Sequence, residues 1–201
     1  MDDGAERLVQ ELSQIVLNRI TSDKLLLPCQ PAAAARCGRL LNENDTTPRQ
    51  LTEALERDPV LAAQVLRIAA AGGPSPDSLE QAVSQVGVAR LRVPLGDVLR
   101  RQLAESRSKK ISESVTQVWQ HALAVAILAR DLAALAQADS PDAAFIAGLL
   151  HDIGKVAVAG MLLEAEKQLA RSRNSGWLSP QAWSDAVQKC HRPIGVALAE
   201  R

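Results

Sequence analysis

The sequence is poor in aromatic residues and has no surplus of either charge. Its 201 residues include no tyrosine, one phenylalanine and three tryptophans, which is too few for the base-stacking platforms of single-strand nucleic-acid binders. Lys and Arg together number 23, as do Asp and Glu, so the formal net charge is zero. Proteins that bind nucleic acid through its phosphates usually carry a basic surplus. Both features argue against nucleic-acid binding as the main function.

Cysteines are also few, and they follow no recognised spacing. Cys29, Cys37 and Cys190 form no CxxC pair. An odd number of scattered cysteines is typical of reduced thiols in the cytosol, and it fits neither a disulfide framework nor a zinc site.

Long apolar runs are missing from the sequence. The richest run, residues 122–135, is interrupted by Arg130 and Asp131, and no run reaches the roughly 20 apolar residues that span a bilayer. The acidic start, Met1-Asp-Asp-Gly-Ala-Glu, lacks the basic and apolar regions of a signal peptide. We therefore expect a cytoplasmic protein that has no membrane partner.

Every periodic segment of the chain predicts a helix, because apolar residues recur three and four positions apart and no segment alternates as a strand does. Proline at the first helical position marks several starts, and Ser112 is a predicted N-cap for a long helix that ends near Ala138. The sequence places these starts at Thr47-Pro48, Asp58-Pro59, Ser140-Pro141 and Arg192-Pro193. We predict an all-α fold, a multi-helical bundle with an N-terminal helical lobe.

The chain divides, by prediction, into an opening helix at 1–22 and a domain at 23–201. Residues 104–112 are polar and charged, so we interpret them as the connection between an N-terminal lobe at about 23–105 and a second lobe at about 112–201. The apolar faces of the helices at Val60–Ile68 and Val118–Leu132 should be largely buried.

Three histidines carry the potential chemistry. His151 is followed directly by Asp152 in the apolar, Gly-flanked run 148–155, while His121 lies in mid-helix and His191 near the end of the chain. Imidazole and carboxylate together suit a divalent ion such as Fe, Mn or Zn. His121 could supply another nitrogen ligand from a neighbouring helix, and His191 could supply a further one. The alternative for each histidine is a hydrogen-bonded residue of the core.

These segments resemble the HD superfamily. Residues 149–155, Leu-Leu-His-Asp-Ile-Gly-Lys, are similar to its central motif, and Trp119-Gln-His121 is similar to its first histidine helix. The segment His191-Arg-Pro-Ile-Gly195 resembles two branches, the HD-GYP phosphodiesterases and the HDOD domains (HD-related output domains). The first half resembles HDOD domains alone, through residues 27–28, 51, 58–67 and 78–87, so the resemblance covers about residues 23–201.

The chain departs from the HDOD pattern at three places. Ala69–Gly73 stands where the family usually has an Asn-Ser-Ala-like turn, and Trp183 stands where an acidic residue is common before the last histidine. The sequence ends at Arg201, before the Trp-x-x-Pro and His-His segments that usually follow in the family. We therefore expect the HD-like lobe to be incomplete at its C-terminus.

The HDOD resemblance implies a non-catalytic regulatory output module in bacterial signal transduction. It implies signalling proteins as partners and allows self-association, while nucleic acid and membranes are not expected partners. The HD geometry that the resemblance implies also predicts that His121, His151 and Asp152 converge in space. The metal site would be degenerate, with His121, His151, Asp152 and His191 as its ligands. Asp185 is the nearest match to a distal carboxylate, although we expect it on a solvated helix face. No cofactor is expected, and Fe, Mn or Zn is the kind of ion that such a site would take.

Two alternatives remain open from the sequence. The first is a metal-dependent HD-type phosphohydrolase that acts on a cyclic or other nucleotide, in which Lys155 would bind a phosphate as a point charge. The second is a nucleic-acid-binding regulator that uses the basic residues between Arg90 and Lys110, although Asp97 and Glu105 interrupt this zone.

Overall fold

In a computed structural model of the chain, residues 14–20, 22, 27–100, 108–171 and 179–200 are described. These residues form helices joined by turns and contain no β-strand, so the all-α prediction is confirmed. Within them, a helical segment at 14–20 precedes nine helices, which are α1 (Pro31–Asn42), α2 (Pro48–Leu55), α3 (Pro59–Gly72), α4 (Leu79–Val86), α5 (Val88–Leu99), α6 (Lys109–Leu135), α7 (Pro141–Leu150), α8 (Ile153–Arg171) and α9 (Pro180–Ala199).

Helix starts follow the cap signals of the sequence. Thr47 and Gln50 form a reciprocal capping box at α2. The side chain of Asp58 accepts hydrogen bonds from the first backbone N–H groups of α3, and Ser78 does the same at α4. Gly87 ends α4 with φ of 84°, a left-handed conformation that favours glycine.

The chain folds into two compact units, which we name after the histidines that they contain. The His121 unit consists of α1–α5, α6 from Trp119 onward, and α7 through His151. The His191 unit consists of residues 14–20, the start of α6 through Val118, and the chain from Asp152 through α9. Helix α6 contributes residues to both units, and the chain passes from one unit to the other after His151. The sequential lobes at about 23–105 and about 112–201 remain a prediction about the domain organisation.

The core of the His121 unit brings α3, α4, α6 and α7 together. Its buried cluster consists of Ala62, Leu79, Ala122, Ala126, Phe145 and Leu149. The apolar face of α3 is buried through Val60, Leu61 and Val65, as predicted. The core of the His191 unit is formed where α8 packs on α9, with Leu162, Cys190 and Ile194 fully buried.

The prediction for the apolar face of 118–132 is wrong for the second half of α6. Trp119, Ala122 and Ala126 are buried, but Leu128 is 60% and Leu132 is 64% exposed. Apolar residues of this 27-residue helix occupy more of its surface than the core covers. Those outside the contact with the core, such as Leu128 and Leu132, are therefore exposed to solvent.

Two helix boundaries also differ from the prediction. The long helix α6 begins at Lys109, so Ser112 lies within it and does not cap it. No new helix begins at Arg192-Pro193, because α9 continues through Pro193. Proline removes one intrahelical hydrogen bond, but burial of Cys190 and Ile194 on either side of it holds the helix together.

Two apolar stretches are long enough to cross a membrane when judged by length and composition only. They are Lys109–Leu135, whose apolar window is 17% buried, and Pro141–Lys167, whose window is 61% buried. The sequence-based expectation counted only uninterrupted runs of apolar residues. Both stretches contain charged residues, so that count did not include them. Core helices of soluble proteins meet the same test, so the finding is only a weak indication of a membrane span.

Candidate functional site

His121 and His151 meet within the His121 unit. His121 lies in α6 and His151 directly follows α7, and their Nε2 atoms are 3.2 Å apart. The ring centroids are 5.1 Å apart, with the ring planes at 60°. The predicted convergence of two histidines separated by 30 residues is therefore observed. The packing of Ala126 against Phe145 and Leu149 holds the two helices together.

The ring of His151 has a defined tautomer. Its Nδ1 lies 2.8 Å from the carbonyl oxygen of Gly148, and because a carbonyl can only accept, Nδ1 carries a proton and donates it. In the neutral ring, Nε2 then presents a lone pair towards His121. This arrangement, in which the remote ring nitrogen is held by a carbonyl, is the one that orients histidine ligands of metals.

The spacing of the histidine pair fits a shared metal ion. Two imidazole nitrogens bound to one zinc ion at about 2.0–2.1 Å lie about 3.3 Å apart at the tetrahedral angle. The observed separation of the two Nε2 atoms is 3.2 Å. His121 and His151 can therefore supply two nitrogen ligands to one ion, and the next residue of the chain, Asp152, carries a carboxylate. Their chemistry suits Fe, Mn or Zn and does not select among them.

Asp152 belongs to the His191 unit, where the side chains of Lys155 and His191 lie beside its carboxylate. Its side chain is buried, with Nζ of Lys155 2.5 Å from Oδ2. On the other oxygen, Nε2 of His191 lies 3.7 Å from Oδ1. His191 is oriented as His151 is, because its Nδ1 donates to the carbonyl of Gln188 at 2.7 Å. Lys155, predicted to bind phosphate, is thus engaged with a carboxylate in this structure.

The candidate for a distal carboxylate lies on the solvated side of α9. Asp185 is exposed and accepts a hydrogen bond from Gln181 at 2.9 Å. Two residues earlier, Trp183 is buried and is 3% exposed. The chain therefore places an apolar ring in the core where the family often has an acidic side chain.

Asp58, which the sequence predicts only as a helix start, is a fully buried carboxyl group in the structure. It has no exposed surface, and its carboxylate accepts hydrogen bonds from the backbone N–H groups of Gln30, Val60 and Leu61. Burial raises the pKa of Asp58 to about 6, although those three donors favour the ionised form. The only sequence signal was the Asp-Pro pair, which predicts a cap but not the contact with Gln30.

An open pocket of about 560 Å³, lined mainly by polar residues, lies elsewhere in the His191 unit. Its lining comes from the start of α6 and the start of α9, with Lys110, Ser114, Gln117 and Ser184 among the residues. None of the predicted site residues lines it.

Comparison with known proteins identifies the family of the chain. The model of the HDOD domain family matches residues 27–201. The chain belongs to the HDOD domain family. The family recognised from the motifs is therefore confirmed, over nearly the range that the motifs indicated. An HDOD domain is an HD-related module of signal transduction.

Solved structures with the same fold include two crystal structures of the MmoQ response regulator from Methylococcus capsulatus strain Bath. One is 24% identical, has a TM-score of 0.61, and is matched over 88% of this chain and 72% of that chain. The other, a fragment, is 25% identical, has a TM-score of 0.63, and is matched over 87% of this chain and 68% of that chain. No curated protein matches the chain.

Proposed function

We propose that this HDOD domain is a non-catalytic regulatory module of bacterial signal transduction whose HD-type residues no longer support hydrolysis. The observation that carries the proposal is the contact between Lys155 and Asp152, with Nζ at 2.5 Å from Oδ2. A carboxylate that is paired with an internal ammonium group is a poor ligand for a metal ion, because the metal must first displace that cation.

The internal pair competes directly with metal binding. Both side chains are largely buried, and a buried carboxylate that loses its partner is strongly disfavoured. Hydrolysis needs an ion that is held firmly, that lowers the pKa of its bound water to about 7, and that leaves room for a phosphate. With Asp152 occupied, the ligands left in the predicted set are the three imidazoles.

The histidine pair keeps a weak affinity for divalent transition metals in this proposal. The tautomer and spacing of His121 and His151 suit such an ion, but two imidazoles alone hold it less firmly than a complete set of ligands. The residues also stabilise the fold through their hydrogen bonds. A hydrogen bond between charged groups contributes roughly 1.5–3 kcal/mol, and a neutral one about 1 kcal/mol.

Membership of the HDOD family supports the signalling part of the proposal, as does the likeness to a protein described as a response regulator. We infer that the module acts by binding other signalling proteins in the cytoplasm. A regulatory module needs stable helical faces and no turnover. A buried Asp152 that packs against Lys155 is compatible with that requirement.

The test is an activity and metal assay on the purified protein. We expect no turnover of cyclic dinucleotides or nucleoside phosphates with added Mn²⁺ or Fe²⁺. His151→Ala should lower the melting temperature, while a chelator should leave it unchanged. Phosphodiesterase activity that requires metal and disappears in His151→Ala would overturn the proposal.

A pair of lysine variants tests the role of the internal cation. Lys155→Met should raise the affinity for Mn²⁺, because it removes the competitor for Asp152, and added metal should then raise the melting temperature of this variant. Lys189→Met, at an exposed position of α9, is the matched control and should behave as the wild type. Equal metal affinity in both variants would show that Lys155 does not block the site.

The second candidate function is a metal-dependent phosphohydrolase, and the 3.2 Å separation of the two Nε2 atoms favours it. In that function His121, His151 and Asp152 would hold the ion, and Lys155 would leave Asp152 to bind substrate phosphate. The activity and metal assay separates the two candidates, since only the hydrolase gives turnover that depends on both metal and His151.

A further inference from the structure

Helices α6 and α7 touch through their backbones at Gly148. A Cβ atom on Gly148 would lie 2.8 Å from Cα and 3.0 Å from N of Ala126, and 3.0 Å from the carbonyl oxygen of Val125. Side-chain carbon atoms in proteins do not approach backbone atoms this closely, and backbone atoms cannot move aside unless the whole helix moves. Only glycine at position 148 permits the observed approach of α7 to α6.

The same glycine also orients His151. Its carbonyl oxygen accepts the Nδ1 proton of that ring at 2.8 Å. His151 lies three residues after Gly148, and His121 lies five residues before Ala126, so the helix contact is about one to one and a half turns from both rings. A shift of α7 at this contact therefore moves the His151 ring relative to His121.

We propose that Gly148 is the positioning residue of the histidine pair, setting both the distance between the rings and the rotation of His151. The functional consequence of this role rests on the proposed metal affinity of the histidine pair. The distance between the two rings does not, because it can be measured without metal. An alanine at 148 would push α7 outward, and the two Nε2 atoms would separate beyond the distance at which one ion can bridge them.

Matched glycine and alanine substitutions separate this role from a general effect on helices. In Gly148→Ala the added methyl meets backbone atoms, whereas in Gly96→Ala, inside α5, the nearest atom is Nη1 of Arg100 at 3.6 Å. Gly96→Ala is therefore the control that adds the same methyl without a clash. Ala126→Ser adds one atom to the facing helix, within the cluster that packs on Phe145 and Leu149, and so widens the same crossing by less.

Two readouts report on the pair, and the first is independent of metal. In the full chain, NMR should show a nuclear Overhauser effect between the ring protons of His121 and His151, and Gly148→Ala should abolish it while circular dichroism remains helical. The second readout is titration with Zn²⁺, for which loss of an orienting partner weakens binding about 10–100-fold. Gly96→Ala should retain the wild-type result in both.

The outcomes distinguish this inference from the proposed function. A folded Gly148→Ala protein that keeps the ring contact and wild-type Zn²⁺ affinity overturns the positioning role. Loss of the ring contact, in a protein whose wild type binds no Zn²⁺, supports the positioning role and contradicts the metal affinity. Should Gly148→Ala fail to fold, Ala126→Ser provides the test. If the distance between α6 and α7 sets the contact between the two histidine rings, Ala126→Ser weakens that contact; an unchanged contact overturns the positioning role.

Discussion

At the scale of single residues, Asp58 gives the stability of the protein a distinct pH dependence. Burial raises its folded-state pKa from 3.8 to about 6. The folded protein then binds a proton at Asp58 more tightly than the unfolded chain does. The resulting stabilisation is full below the unfolded pKa near 3.8 and is lost as pH rises through about 6.

We therefore expect the free energy of unfolding to fall by up to about 3 kcal/mol between about pH 4 and pH 7 on account of Asp58. Urea unfolding at several pH values checks this for the wild type and for Asp58→Asn. Burial also raises the pKa of Glu56, which acts in the same direction in both proteins, so the difference between the two curves isolates Asp58. Parallel curves would contradict the raised pKa.

At the scale of helices, the close packing of α8 on α9 requires glycine at position 154 but not at position 195, which faces it. A Cβ on Gly154 would lie 1.9 Å from the carbonyl oxygen of His191 and 2.8 Å from N of Gly195. A Cβ on Gly195 would meet nothing nearer than 3.6 Å. Gly154 lies in the first turn of α8.

The two glycine substitutions should therefore have opposite effects. Gly154→Ala should lower the free energy of unfolding by about 3 kcal/mol or more, because overpacking against backbone cannot relax. Gly195→Ala should raise it by about 0.5–1 kcal/mol, the gain of alanine over glycine in a helix interior. Denaturant titrations of the two variants provide the measurement, and effects of the same sign would contradict the close crossing.

Exposed leucines on α6 provide a second contrast at this scale. Leu132 is 64% exposed, while Leu149 on α7 is 1% exposed. We expect Leu149→Ala to lower the free energy of unfolding by about 2–5 kcal/mol, and Leu132→Ala by no more than about 0.5 kcal/mol. Thermal and urea unfolding test both. A large loss in Leu132→Ala would mean that this part of α6 is covered in solution.

At the scale of the whole molecule, charge balance argues against binding to nucleic acid. The net charge is zero, and several cations of the basic zone are already engaged. Arg92 donates to the carbonyl of Glu43, Arg100 pairs with Asp97, and Lys109 lies 3.7 Å from Glu113. Counterion release, which drives non-specific DNA binding, needs a patch of free cations.

We expect no detectable binding to duplex DNA even at about 50 mM salt, where electrostatic binding is strong. Fluorescence anisotropy with a labelled duplex is a suitable measurement, with salt as the variable. Affinity that falls steeply as salt increases would contradict the expectation and would support the nucleic-acid alternative.

The sequence by itself determined most of the helix starts and the family. Proline and cap residues such as Thr47, Asp58 and Ser140 act within one turn of their own position, so local chemistry predicts where helices begin. The motif around His151 and Asp152 is also contiguous, and its residue types alone were enough to indicate the HDOD family. The separated histidines were paired by resemblance, because spacing alone gives no distance between two helices.

Only the tertiary structure decided which neighbours each side chain meets. The pairing of Asp152 with Lys155, the burial of Asp58 beside Gln30, and the exposure of Leu132 all depend on where other elements pack. The continuation of α9 through Pro193 likewise depends on burial that outweighs a lost hydrogen bond. These features could not be predicted from sequence because they are set by contacts and dielectric surroundings, and neither exists until the helices assemble.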